Sequence, residues 1–169
     1  MSTTIYLMRH GETEENMAHI LQGHLPGRLT QKGVEQAEIA GEKLQEMHID
    51  VIVASDLQRC ADTAEIVNRR ICRNIVFTKL LRERDWGSLT GTVVEKGKKI
   101  VLPKDVESVK AMKARARIFI DYIMKTYPGK TVLVISHGFF CRCLRAVAGG
   151  LDIEDIRAMG NADILKLEF

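Results

Sequence analysis

No run in this sequence approaches the ~18 continuous apolar residues of a membrane span, so no membrane partner is expected. The start of the chain enters a strand-like segment at once, with no basic stretch leading into a long apolar one, which argues against a signal peptide and for a cytoplasmic protein. Cysteine is sparse: Cys60, Cys72, Cys141 and Cys143 form no CxxC or CxxH spacing, so reduced thiols are expected rather than a zinc site or a disulfide framework. Cys141 and Cys143, two apart on an expected helix, should point to different faces. There is no GxxxxGK[ST] loop and no GxGxxG run, which disfavours P-loop nucleotide hydrolysis and dinucleotide binding. Internal repeats, low-complexity tracts and linkers are also missing. The 169 residues therefore read as a single domain, 1–169, long enough to bury one substantial core.

Charge of one sign is scarce as well, with a net of only +3, but its distribution is uneven. Residues 95–117 carry eight basic side chains (Lys96, Lys98, Lys99, Lys104, Lys110, Lys113, Arg115, Arg117) against Glu95, Asp105 and Glu107; that stretch is +5 and the rest of the chain −2. Such a stretch fits either a solvated helix face or contact with an anionic substrate. No aromatic residue interleaves with the charges, so no nucleic-acid partner is expected.

What is present is alternation of strand-like and helix-like segments, which favours an α/β fold with a largely parallel sheet. Strands are expected at about Ile5–Met8, Asp50–Ala54, Ile75–Thr78, Thr131–Ser136 and Ile164–Phe169. Thr30 reads as the N-cap of a helix to about Met47, with Val34, Ala37, Leu44 and Met47 on one side. Ser55-Asp56 are good N-cap types for a helix to about Asn68. A long helix is expected from about Asp105 to Thr126, with Val109, Met112, Ala116, Phe119 and Ile123 at helical spacing and Pro128-Gly129 ending it. Phe139–Ala148 is a further helix, and Trp86–Pro103 an irregular excursion.

Three strand-to-helix junctions carry chemistry-bearing residues: Arg9-His10, Ser55 to Arg59, and Ser136-His137. Strand carboxyl ends are where open α/β sheets bind ligands. A transferring phosphoryl group spreads negative charge over its oxygens, so catalysis relies on fixed positive charges and donors around it. Arginine suits this because its planar fork grips two oxygens and stays charged. Arg9, Arg59 and His137 would form such a cradle, with exposed N–H groups at the helix starts adding to it. Removing one such donor typically costs about 3–4 kcal/mol of transition-state stabilisation. Glu15 and His19 have the four-residue spacing of helical metal ligands but read as solvated side chains, and no metal or cofactor is expected, since the arginines supply the charge.

The ordered blocks Arg9-His10-Gly11-Glu12-Thr13 with Asn16, Gln22-Gly23, Leu29-Thr30 with Gly33 and Gln36-Ala37, Ser55-Asp56-Leu57-Gln58-Arg59 with Thr63-Ala64, Leu81-Arg82-Glu83 with Gly87, and Ser136-His137-Gly138 resemble the histidine phosphatase superfamily, the group of cofactor-dependent phosphoglycerate mutases and many small phosphatases. The resemblance implies a three-layer sandwich with a mostly parallel central sheet flanked by helices. It implies that His10 is the nucleophile, forming a phosphohistidine, and that Arg9, Arg59 and His137 hold the phosphoryl oxygens with Asn16. Gln22, Gly23 and Gly138 would complete the substrate-binding set. Glu83 would protonate the leaving oxygen and then deprotonate water, a double duty that suits a carboxyl in a semi-enclosed site.

Three segments depart from the family pattern: Leu89-Thr90 where relatives carry tryptophan and glutamate, His24 where aspartate is usual, and Val106-Glu107-Ser108 where Gly-Glu-Ser is common. They bear on specificity more than on phosphoryl chemistry. The short excursion after Glu83 resembles an open phosphatase more than a mutase, whose insertions are longer. The expectation is a metal-independent phosphatase of a small phosphorylated metabolite. Alternatives are phosphoglycerate mutase-type transfer, a protein phosphohistidine phosphatase, or a non-catalytic phosphate or nucleic-acid binder. In the phosphatase reading, the basic stretch from Lys96 to Arg117 would lie near the mouth of the site and select substrates with a second anionic group.

Overall fold

A computed structural model of the chain describes residues 2–95 and 97–169. Lys96, one of the basic residues noted above, lies outside the described residues. Five strands form one sheet: β1 (Thr4–Arg9), β2 (Val51–Ser55), β3 (Ile75–Thr78), β4 (Thr131–Ser136) and β5 (Ile164–Glu168). Their order is β3-β2-β4-β1-β5. Pairing is parallel except at the edge, where β5 runs antiparallel to β1.

Parallel strands are buried on both faces and read as continuous apolar runs, and their side chains alternate between the faces. Ile5, Leu7, Val51, Val53, Val132 and Val134 pack on one side with Met112, Ala116, Phe119 and Ile123 of α4 (Val109–Thr126) and Phe140 and Leu144 of α5 (Gly138–Gly149). Met8, Ile52, Ala54, Leu133 and Ile135 pack on the other with Ala37, Ala40 and Leu44 of α2 (Gln31–Leu44) and Ala64 and Val67 of α3 (Gln58–Ile71). The fold is thus the expected three-layer α/β sandwich. A short helix α1 (Glu14–Met17) was not expected from the sequence; Thr13 and Asn16 close its first turn as a reciprocal capping box.

Several local expectations need correction. Helix α3 starts only at Gln58 and has no side-chain cap, because Ser55 and Asp56 are engaged elsewhere, Ser55 with His137 and Asp56 with Arg82. Helix α4 is capped by Ser108, not begun at Asp105. Asp105 instead accepts from the Ser88 amide and hydroxyl at 2.7 and 3.1 Å, bracing the turn after Trp86. Met47 is exposed, sitting in a 3-10 turn beyond the end of α2. Cys141 and Cys143 are both fully buried in the core cluster on the α4–α5 side. All four cysteines are free. Among the described residues no helix is long and apolar enough to cross a membrane.

The loop after β1 is pressed directly onto the start of α2. The Glu12 amide donates to Gln36 Oε1 at 2.9 Å, and the Glu12 carbonyl accepts from the Thr30 amide at 2.9 Å. A Cβ on Gly11 would lie 2.5 Å from the Gly33 carbonyl oxygen, and one on Gly33 would collide with the Glu12 backbone. Only glycine allows this approach, and the approach fixes the residue that follows β1. Gly33→Ala is therefore expected to destabilise the protein by about 2 kcal/mol through overpacking against backbone, measurable by urea unfolding. An unchanged midpoint would show that the loop yields freely.

Candidate active site

The sheet brings the expected residues together at its carboxyl edge. β1 and β4 are neighbours, with Arg9 in register with Ser136, and the His10 amide donates to the Ser136 carbonyl at 3.0 Å. His10 and His137 leave adjacent strands at the same level, and their ring centroids lie 5.3 Å apart, edge to face. β2 ends beside β4, so Ser55 reaches His137 Nε2 at 2.8 Å and α3 delivers Arg59 in its first turn.

His10 is 2% exposed, and its Nδ1 lies 2.7 Å from the Gly11 carbonyl oxygen. A carbonyl only accepts, so Nδ1 carries the proton and Nε2 keeps the lone pair. Burial, then the nearby Arg59 charge, holds the His10 ring well below the ordinary imidazole value, with Arg9 adding to the effect. His137 is pushed down in the same way, first by burial and then by Arg59.

Arg59 is buried, its Nη atoms held by the carbonyls of Leu25 at 2.5 Å and Gly23 at 2.9 Å, with Pro26 at 3.4 Å. Gly27, in the left-handed region at φ 71°, lets that loop close: a Cβ there would meet Arg59 Cδ at 2.9 Å. Arg9 donates to the Met159 carbonyl at 2.7 Å. The Nε atoms of both Arg9 and Arg59 are buried without a protein partner among the described residues. Two orphaned cationic N–H groups beside a neutral imidazole suit an anion that would satisfy them. Glu83 faces the same space from the opposite side. Its Oε1 accepts from the Arg84 and Phe140 amides at 2.8 and 3.1 Å and its Oε2 from Phe139 at 3.1 Å, placing the carboxylate at the start of α5.

A cavity of about 260 Å³ is lined by Arg9, His10, Asn16, Gln22, Gly23, Arg59, Glu83 and Gly138. These are all the expected site residues except His137. That ring is fully buried behind the wall, touching His10 and Ser55, with Cys60 Sγ 3.5 Å from its Nε2. Gln22 is tied through Nε2 to Thr13 Oγ1 at 2.9 Å. Asn16 Oδ1 accepts from the Thr13 amide and from Asn161 Nδ2, both at 3.1 Å, which leaves the Asn16 NH₂ group as the donor for the cavity. Asn161 also donates to the His10 carbonyl at 3.2 Å.

Sequence reasoning missed Phe139, Arg142, Ile20, Leu21 and Ala158, which with Trp86 line the rest of the cavity, and Asn161, which bonds Asn16 and the His10 carbonyl. They lie far apart along the chain, and no local pattern marks them. The basic residues of 95–117 that are described do not line this cavity. Arg115 pairs with Glu107, Lys98 with Glu95, and Lys113 donates to the Leu151 carbonyl. Of the metal-like pair, Glu15 accepts from the Arg28 amide instead.

A neutral, buried histidine among arginines at the carboxyl edge of an α/β sheet defines a class of phosphoryl-handling sites. The histidine phosphatase superfamily (branch 1) matches residues 5–169, and the chain belongs to that family. Among curated relatives, an uncharacterized phosphatase of Bacillus subtilis (strain 168), PhoE, is 31% identical, covering 99% of this chain and 89% of its own. A probable phosphoglycerate mutase of Salmonella arizonae, GpmB, is 33% identical over 87% of this chain and 75% of its own. Among solved structures, Bacillus stearothermophilus YhfR superposes with a TM-score of 0.90 at 26% identity, over 97% of this chain and 90% of its own. A mycobacterial glucosyl-3-phosphoglycerate phosphatase does so with a TM-score of 0.86 at 26% identity, over 99% and 91%.

The depressed His10 pKa carries a sign. Below the ordinary value of 6.5 the unfolded chain takes up a proton that the folded ring refuses. Stability then falls with falling pH by about 1.4 kcal/mol per unit for each such histidine. His10→Gln should show a shallower decline of unfolding free energy immediately below pH 6.5 than the unsubstituted protein. Parallel curves would mean that the folded ring is already protonated there.

Proposed function

We propose that this protein is a metal-independent phosphatase that hydrolyses a small phosphomonoester through a phosphohistidine on His10. The observation that carries the reading is the His10 tautomer: with Nδ1 pinned to the Gly11 carbonyl, the free lone pair sits on Nε2, near Arg59 and Arg9, whose Nε atoms are buried and unpaired among the described residues. In this reading Arg9, Arg59 and the Asn16 amide hold the phosphoryl oxygens, and Gly138, at the start of α5, adds its amide. His137 joins them by exchanging its Ser55 partner for a phosphoryl oxygen. Gln22 and Gly23 shape the wall, and the Gly23 carbonyl holds Arg59.

His10 Nε2 attacks phosphorus as the P–O bond to the alcohol breaks, and Glu83 gives its proton to the departing oxygen. Water, giving a proton back to Glu83, then attacks phosphorus and breaks the P–N bond, releasing inorganic phosphate and neutral His10. No Lewis acid is required, because the guanidinium groups carry the charge stabilisation. The reaction suits a cytoplasmic enzyme acting on a phosphorylated metabolite.

The similarity to a probable phosphoglycerate mutase favours one alternative, in which the phosphohistidine is captured by a second hydroxyl rather than by water. It would show as isomerisation of a phosphoglycerate dependent on a bisphosphate primer. Against it stands the segment between Glu83 and α4, where the described residues of 84–108 contain one 3-10 turn and no enclosing helix.

Rapid quench with a labelled phosphoester should trap an acid-labile, base-stable protein label that is lost in His10→Ala. Hydrolysis should persist in EDTA, and Arg59→Ala should lower kcat by about 10²–10³-fold. A label that survives in His10→Ala, or activity abolished by EDTA, would overturn the proposal.

A further inference from the structure

Arg115, counted by sequence within the basic stretch as a solvated or substrate-facing cation, is instead a largely covered fastener around Glu83. Its guanidinium donates to the carbonyls of Leu80 at 3.0 Å, Arg82 at 2.6 Å and Glu83 at 3.4 Å. The same group grips Glu107 through both carboxylate oxygens, at 2.9 and 3.0 Å from Nη2 and 3.2 Å from Nε. Glu107 in turn holds the other flank: its Oε2 accepts from the Asp85 amide at 3.1 Å, its amide donates to the Asp85 carbonyl at 2.8 Å, and its carbonyl accepts from Arg84 Nε at 2.8 Å. Glu83 lies between these two grips. Arg115 also stacks on the Phe140 ring at 4.2 Å, and the Phe140 amide is one of the three that hold the Glu83 carboxylate.

The side chains of the pair are only 17% and 18% exposed, so solvent screens the attraction weakly. Every backbone acceptor that Arg115 uses belongs to residues 80–83. A lysine, with donors on a single nitrogen, could not bridge three carbonyls and a bidentate carboxylate at once. We propose that the Arg115–Glu107 ion pair positions Glu83 for proton transfer to the leaving oxygen. Neither residue touches the reacting atoms; both act through the segment that carries the acid. The inference rests on the assignment of Glu83 as proton donor, and the test is chosen to separate the two.

Protonation of the leaving oxygen matters for an alkyl phosphate and hardly at all for 2,4-dinitrophenyl phosphate, whose phenolate departs unaided. The measurement is kcat/KM for both esters, because this ratio covers only the steps through departure of the alcohol. Arg115→Met should lower it by about 100-fold for the alkyl ester, the cost of a misplaced catalytic group, and by less than about threefold for the activated one. Arg115→Lys should fall between, and Glu107→Gln should repeat the pattern if Arg115→Met fails to fold.

Glu83→Gln is the control and should show the same selectivity more strongly. If Glu83→Gln discriminates between the esters while the Arg115 and Glu107 variants lose both activities equally, or lose neither, the pair is structural only and the inference falls. If Glu83→Gln itself does not discriminate, Glu83 is not the proton donor, and the inference falls with that assignment.

Discussion

The parallel pairing of β1 with β4 is the constraint from which the candidate site follows. These strands are separated by most of the chain, yet Arg9 stands opposite Ser136 in the ladder, and the next residue on each strand is a histidine. A slip of one residue would turn every β1 side chain to the other face, exchanging Leu7 and Met8 between the two core layers and taking Arg9 out of line with Ser136. Register is therefore fixed by the two apolar faces of the sheet, and the meeting of the two imidazoles is a consequence of core packing. β2, on the other side of β4, adds Ser55 and Arg59 to the same edge by the same logic.

Burial then sets the charge state of what the strands assemble. Imidazoles removed from water beside guanidinium groups stay neutral, which is what a nitrogen nucleophile requires. Arg59 is held by the carbonyls of residues 23–26 rather than by a carboxylate. Carbonyl dipoles orient the guanidinium without cancelling its charge, so the positive potential remains available to an incoming anion. An Arg59–carboxylate pair in the same place would have to be broken before a phosphate could bind. The contrast with Arg82, paired with the Asp56 carboxylate at 2.7 Å, shows the two uses of arginine.

Much of this was legible in the sequence where the signal is local. Apolar runs marked the strands, helical spacing at Met112, Ala116, Phe119 and Ile123 marked α4, and histidines at strand ends marked the site. The antiparallel direction of β5 had no such signal, because strand direction is set by where the chain returns. Cap chemistry misled at Ser55 and Asp56, since each side chain is claimed by a tertiary partner, and Asp105, expected at the start of α4, is likewise engaged with Ser88. Charge counting misled at Arg115, because a composition window counts Arg115 and Glu107 separately and does not show that they pair. Asn161, which links Asn16 to the His10 backbone from near the end of the chain, is visible only once the fold has closed.

The two halves of the cavity come from different kinds of structure. The half nearest His10 is built from strand ends and first helical turns, which core packing holds rigid. The other half comes from Ile20, Leu21, Trp86, Phe139, Arg142 and Ala158, contributed largely by loops. Loops on a rigid scaffold vary without disturbing it. Leu89 and Thr90, where the family pattern has tryptophan and glutamate, do not line the cavity themselves but lie in the turn that follows Trp86, which does. His24 is the instructive exception: it lies in such a loop, but its Nε2 meets the Glu83 carbonyl at 3.0 Å, so a substitution read as a matter of specificity reaches the segment carrying the proposed acid.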